Sequence, residues 1–268
     1  MILLRYFKIY FKELIGPINW MRLKMLRNLN LSMSLRYNLW TFQIIKKTLH
    51  RNSTCIDVGC HRESVLKVMM RYAKNGLFYA FEPIPYLFDD LKKDYSSDNC
   101  KLYNIALSDK KGTSKFVHVV SNPGYSGFLE RRYDNKNEQL EKIIVHTDLL
   151  DNIIVDDLKI DFIKIDVEGA EYQVLLGEKR LIMKNKPIII FECGLGGTDY
   201  YGIKSQDIFN LLSKEYGLHI SRLDDYLLNR KPLNFISFNA DFESNSNYYF
   251  IAHAWLEAKY FCSNFFRS

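Results

Sequence analysis

From residue 53 onward, short apolar runs rich in β-branched residues alternate with stretches whose apolar positions recur every three or four residues. The runs STCIDV (53–58), GLFYAF (76–81), CKLYNIA (100–106), DFIKID (161–166) and PIIIFE (187–192) have the length and composition of strands. Segments 63–74, 85–95, 168–185 and 205–216 carry the helical spacing, with charges between the apolar positions. Strand and helix in strict alternation predict an α/β fold with a doubly wound, mostly parallel sheet. The central runs are apolar on both faces, as strands buried between two helical layers must be. A polar insert from SKFVHVV to KIIVHTD interrupts the alternation and predicts extra antiparallel strands with a mobile loop around NPGYSG. After residue 217, HISRL, NFISF and YYFIAHA predict further strands at the sheet edge.

A chain of 268 residues accommodates one main α/β domain with a substantial core. Its 47% hydrophobic and 25% charged residues exclude the disordered and collagen-like classes. Cys55, Cys60, Cys100, Cys193 and Cys262 are odd in number and lack CxxC spacing, which argues against a zinc knuckle or a disulfide framework and for a reducing, cytoplasmic setting. No metal-ligand set is expected. Charge divides the chain in two. Residues 1–51 hold ten cations against Glu13 alone, a net of +9, which leaves −3 for the rest of a chain whose total is +6. We therefore separate a basic, aromatic, helical extension (1–51) from a main domain (52–268). In the extension, Phe7, Phe11, Leu14, Ile15 and Trp20 interleave with the cations, a pattern suited to peripheral contact with an anionic membrane surface. The alternative is a set of helices packed on the domain with a solvated basic face. No apolar run is long enough to span a bilayer, and Arg5, Lys8 and Lys12 interrupt any signal-peptide core.

A parallel sheet collects its functional residues at the C-terminal ends of its strands, and Asp57, Glu82, Asp166 and Glu192 each close one. Taken singly, each also reads as a helix cap or loop acid. STCIDVGCHRES runs from strand to glycine turn to helix, the usual cradle of a nucleotide cofactor. Glu82 follows Gly59 by 23 residues, the place of an acid that accepts from ribose hydroxyls in both nicotinamide and S-adenosylmethionine sites. Asp57 discriminates between them, since a carboxylate at the turn repels a pyrophosphate but suits a sulfonium and an amino group. The absence of GxGxxG and GxxxxGK[ST] points the same way. His61, Asp166, Glu168 and Glu192 are candidate bases, Asp166 first and His61 second. His61 also reads as a polar loop residue, and Glu168 as part of a helix's first turn. His118, His146, His219 and His253 lie in strand-like surroundings and read as structural.

DVGCH, YAFEPIPYLFDDL, LYNIALSDKKGTSKF, IDFIKIDVEGAEYQVLLG and PIIIFE, in this order, resemble the FkbM-type class I methyltransferases over about Cys55 to Glu192. The resemblance implies a Rossmann-like, seven-stranded, mostly parallel sheet with helices on both faces. It further implies S-adenosylmethionine as methyl donor and an oxygen acceptor, often a hydroxyl of a sugar, glycan or secondary metabolite. Carried over by position, Asp57, Gly59 and His61 line the methionine part, Glu82 the ribose, and Ser108 and Asp109 the adenine neighbourhood. Asp166, Glu168 and Glu171 face or brace the reaction crevice. Two positions depart from the family pattern: Glu63 stands where glycine is common, and Leu149, Leu150 and Asp151 stand where Thr-Leu-Asp is common. Glu63 is read as an outward-facing first-turn acid, favoured by the helix dipole. A fold-retaining scaffold without catalysis is the competing class, and a nicotinamide oxidoreductase a third. Nucleic acid is disfavoured as a substrate because no NPPY-like base-handling motif is present.

Overall fold

The structure, a computed structural model, describes residues 32–61, 64–133, 135–154 and 158–255. Glu63, expected as a first-turn acid, lies outside the described residues, and so do residues 1–31, most of the basic extension. The strands are β1 (Thr54–Val58), β2 (Leu77–Phe81), β3 (Cys100–Tyr103), β4 (Ala106–Leu107), β5 (Gly112–Val119), β6 (Leu140–Asp148), β7 (Phe162–Ile165), β8 (Ile188–Glu192), β9 (His219–Arg222) and β10 (Tyr249–His253). Among the described residues, seven form one sheet in the order β3-β2-β1-β7-β8-β10-β9. β3, β2, β1, β7 and β8 are parallel, and β10 inserts antiparallel to both β8 and β9. The order reverses at β1, so the crevice above β1, β2 and β7 is the topological switch point where such sheets take ligands. β1 and β7 are buried along their whole length, as their doubly apolar sequences require.

The insert forms a second sheet, β4-β6-β5, in which β5 and β6 pair antiparallel from Gly112 to Val119. NPGYSG is a short 3-10 turn, Pro123–Tyr125, and Gly127 bonds back to Val117. The predicted helix over 168–185 is two, Glu171–Gly177 and Lys179–Asn185, broken at Glu178. A Cβ on Gly177 would lie 2.2 Å from the Ser108 carbonyl oxygen, so only glycine lets the first helix end this close to the β4 loop. Asp151 accepts from the N–H groups of Arg180 and Leu181 and so caps the second helix. Segment 205–216 begins as the helix Ser205–Phe209 and widens into π turns over Asn210–Glu215.

NFISF is not a strand. It opens the helix Phe235–Ser244, whose start is fixed by the Asn234 side chain accepting from Ser237 N at 2.9 Å. Phe238, Asp241 and Phe242 then face inward at three- and four-residue spacing, while Ile236 is left 77% exposed.

Of the extension, the helix Met33–Thr48 is described, and it packs on the domain. Tyr37, Trp40, Ile44 and Ile45 are buried in one apolar cluster with Leu66, Met69, Phe78, Leu223 and Leu227. The Tyr37 hydroxyl donates to Asn247 Oδ1 at 3.1 Å, tying the helix to the approach of β10. No helix among the described residues is long and apolar enough to cross a membrane. Cys55, Cys60, Cys100 and Cys193 are buried free thiols.

Candidate active site

A cavity of about 550 Å³ opens above the C-terminal ends of β1, β2, β7 and β8. At the end of β1, the N–H groups of Gly59 and Cys60 both donate to the Phe81 carbonyl at 3.0 Å, which folds the chain sharply over β2. Gly59 has φ of 75°, and a Cβ there would sit 1.9 Å from the Asp166 backbone oxygen, so both the turn and its contact with β7 require glycine. His61 also takes a left-handed conformation, φ 47°, and its N–H donates to Glu82 Oε2 at 2.8 Å. Ile84 N donates to Glu82 Oε1 at 2.9 Å. Glu82 is thus clamped between two loops on the cavity wall. Burial pushes its carboxyl up to about 7, against these two donors and the attraction of Lys164.

Lys164 is a buried cation of the first cavity. It lies on β7 beside Asp57 of β1 in the parallel register, with Nζ 3.8 Å from Asp57 Oδ1 and 3.1 Å from Asp166 Oδ2. Burial opposes its charge, but Asp166 and Asp57 outweigh that and hold the ammonium above its usual range. Asp57 is 1% exposed and sits beneath the cavity wall rather than on it; neither oxygen has a well-formed hydrogen bond, and burial pushes its carboxyl up. Asp166 is on the wall. Burial pushes its carboxyl up too, yet Lys164 and the Tyr249 hydroxyl, which donates to Oδ2 at 2.5 Å, together hold it below the usual carboxylate range.

Glu168 and Glu192 line this cavity and also a second one, of about 260 Å³, on the far side of the acids. Glu168 stands in the loop after β7 at φ 61° and pairs with Arg131, whose other amino group donates to the Gly196 carbonyl. Glu171 braces that loop from within: its Oε1 accepts from Val167 N at 3.0 Å and Gly169 N at 3.2 Å. Burial, then the neighbouring acids, push Glu168 and Glu192 up. Tyr125, Arg132, Tyr133 and Tyr248 complete the second cavity.

Of the residues singled out in the sequence, Gly59, His61, Glu82, Asp166, Glu168 and Glu192 all line the first cavity. Ser108 and Asp109 do not line the cavity. The chain enters its wall just before them, through Ile105, Ala106 and Leu107, and the Ser108 carbonyl is committed to the contact with Gly177. Ile84, Phe116 and Phe128 join those residues in an apolar slot. Sequence reasoning missed Lys164, although a lone lysine inside the apolar run DFIKID is a signal. It missed Tyr249, Arg131 and the wall residues Ser34, Asn38 and Thr41 of the first helix, which only the topology brings there.

S-adenosylmethionine fits what is present. A purine suits the apolar slot, ribose hydroxyls suit Glu82, and a net positive ligand suits a wall of acids with buried Asp57 behind it. The volume lies within the range of small-molecule sites.

Residues 57–217 match the family model described as the methyltransferase FkbM domain. Among solved structures, the chain is similar to the methyltransferase FkbM of Methylobacillus flagellatus at 12% identity and a TM-score of 0.46, covering 86% of this chain and 58% of that one. It is similar to the precorrin-6y C5,15-methyltransferase of Geobacter metallireducens at 14% identity and a TM-score of 0.40, covering 72% of this chain and 76% of that one. It is also similar to Aeropyrum pernix fibrillarin with natively bound S-adenosyl-L-methionine at 10% identity and a TM-score of 0.39, covering 76% of this chain and 67% of that one. No curated protein matches the chain.

Proposed function

The chain belongs to the FkbM methyltransferase family, a class I family that uses S-adenosylmethionine, and on that premise we propose that it is an O-methyltransferase acting on a hydroxyl of a sugar, glycan or secondary metabolite. The observation that carries this reading is the meeting of two cavities at Glu168 and Glu192, one suited to the methyl donor and one to its acceptor. Gly59 and His61 hold the methionine end, Glu82 the ribose, and the Ile105–Leu107 wall the adenine. When bound, the cofactor supplies an electrophilic methyl: an acceptor oxygen forms the C–O bond, the electrons of the C–S bond return to sulfur as a neutral thioether, and the hydroxyl proton leaves. Asp166, Glu168 and Glu192 stand where that proton departs. Alignment of donor and acceptor supplies much of the acceleration in such a displacement.

Tyr125, Arg131, Arg132, Tyr133 and Tyr248 favour a hydroxyl-rich acceptor, because aromatic faces and N–H donors are what a sugar ring meets well. The Tyr125 and Tyr133 rings stack at 6.2 Å and 18°. The basic extension fits an acceptor carried at a cytoplasmic membrane surface, such as a lipid-linked glycan intermediate.

The test uses purified full-length protein, S-adenosylmethionine labelled in the methyl group and an envelope glycan extract. Label that stays on carbohydrate through mild base marks a methyl ether and supports the reading. Label released by mild base marks an ester and refutes O-methylation of a hydroxyl, and no label on any carbohydrate fraction refutes the sugar and glycan acceptors.

A further inference from the structure

At the boundary of the two cavities, Asp166, Glu168 and Glu192 each offer a carboxylate oxygen, and the three oxygens lie within 4.8 Å of one another. We propose that these three residues bind a single divalent, oxygen-seeking cation of the Mg²⁺ or Mn²⁺ class, which anchors the acceptor oxygen beside the methyl donor. An ion with bonds of about 2.0–2.6 Å reaches all three oxygens when it sits between them, since opposed ligands can then stand roughly 4–5 Å apart. A set made only of carboxylates suits hard, oxygen-preferring cations such as Mg²⁺ and Mn²⁺.

Donor placement leaves room for the ion. Tyr249 and Lys164 both reach Oδ2 of Asp166, and Arg131 reaches Oε2 of Glu168. The ligands are also held in place. Asp166 and Glu192 close adjacent strands of the main sheet, and Glu168 stands in a left-handed turn pinned by two hydrogen bonds to Glu171.

A second observation comes from Glu171. Its side chain is 0% exposed, lines the second cavity with Glu168 and Glu192, and leaves Oε2 with no partner. A buried carboxylate oxygen without a partner is costly, and a cation with its coordinated waters in that cavity supplies the missing donor. Charge points the same way: Asp166, Glu168, Glu171 and Glu192 face Lys164 and Arg131, and Lys164 is shared with Asp57. Acids outnumber cations here, and an incoming ion offsets the excess.

The cation's role at the acceptor rests on the methyltransferase reading, but its binding does not, and the two are measured apart. Full-length protein is stripped with a chelator, dialysed, and titrated with Mn²⁺ alone while the free-ion electron paramagnetic resonance signal is followed. S-adenosylmethionine binding is measured calorimetrically on the same sample. The proposal expects one tight Mn²⁺ site, weakened at least tenfold in Glu192→Gln and in Asp166→Asn, both checked for native circular dichroism, and competed by Mg²⁺. Failure of the wild type to take up one equivalent of Mn²⁺ below 1 mM overturns the proposal. So does Mn²⁺ uptake unchanged in both variants. Cofactor binding without Mn²⁺ uptake removes the metal and leaves the methyltransferase reading standing; Mn²⁺ uptake without cofactor binding does the reverse.

Discussion

Clamped between the N–H groups of His61 and Ile84, the Glu82 carboxyl titrates near 7 and not near its ordinary value of 4.5, because burial disfavours the anion more than those donors and Lys164 favour it. Ribose hydroxyls donate to the anion, so below pH 7 binding must expel a proton. Affinity for S-adenosylmethionine should therefore rise with pH up to about 7 and level off above it, by roughly tenfold between pH 6 and the plateau. Glu82→Gln should abolish that step and weaken binding at pH 8 by about 1–3 kcal/mol. Calorimetry from pH 6 to 8 on both proteins checks it; an unchanged pH profile in the variant would show that Glu82 does not meet the ribose. Gly59 makes a harder prediction. With a left-handed φ and a backbone oxygen 1.9 Å from where a Cβ would lie, Gly59→Ala cannot be absorbed by a side-chain shift. It should lower stability by more than about 2 kcal/mol or leave no folded protein, as read by urea denaturation. Asp166 lines the first cavity; if it takes the acceptor proton as proposed, Asp166→Asn should cut kcat by about a hundredfold with cofactor affinity held within a few-fold.

The helix Met33–Thr48 contributes to both core and site. Ile44 is 0% exposed in the cluster beneath it, so Ile44→Ala should cost about 2–5 kcal/mol in urea denaturation. Asn38 is exposed on the cavity side, so Asn38→Ala should leave stability within about 0.5 kcal/mol while shifting KM for the acceptor or the cofactor. The parallel strands of the main sheet were legible because buried parallel strands are short continuous apolar runs, as in DFIKID and PIIIFE. NFISF misled for a physical reason. A five-residue run whose apolar positions are Phe235, Ile236 and Phe238 is too short to separate a strand from a helix's first turn, and the Asn234 cap with Phe238 and Phe242 decides only over a longer window. Likewise the acids at strand ends were legible, since topology alone brings them together, while Tyr249 and Arg131 enter from an antiparallel strand and a long insert whose paths no local pattern encodes. Ser108 looked like a site residue by position; the close approach of Gly177 diverts its carbonyl to packing.

Across the whole molecule, charge is separated along the chain, +9 in residues 1–51 against −3 in the rest, and that separation suits an enzyme that meets its acceptor at an anionic surface. Full-length protein should sediment with anionic phosphatidylglycerol vesicles at low salt and release as ionic strength rises through about 0.1 M, where screening shortens to about 10 Å. Absence of sedimentation at low salt would refute surface contact. The sheet order, the reversal at β1 and the two cavities meeting at Glu168 and Glu192 all converge on one claim, that the crevice above β1, β2 and β7 holds the methyl donor. Calorimetric titration of the full-length protein at pH 8 with S-adenosylmethionine, and separately with NADH, tests that claim most directly. The account predicts one S-adenosylmethionine per chain, bound at least a hundredfold more tightly than NADH; no binding of S-adenosylmethionine, or a preference for the dinucleotide, would contradict it.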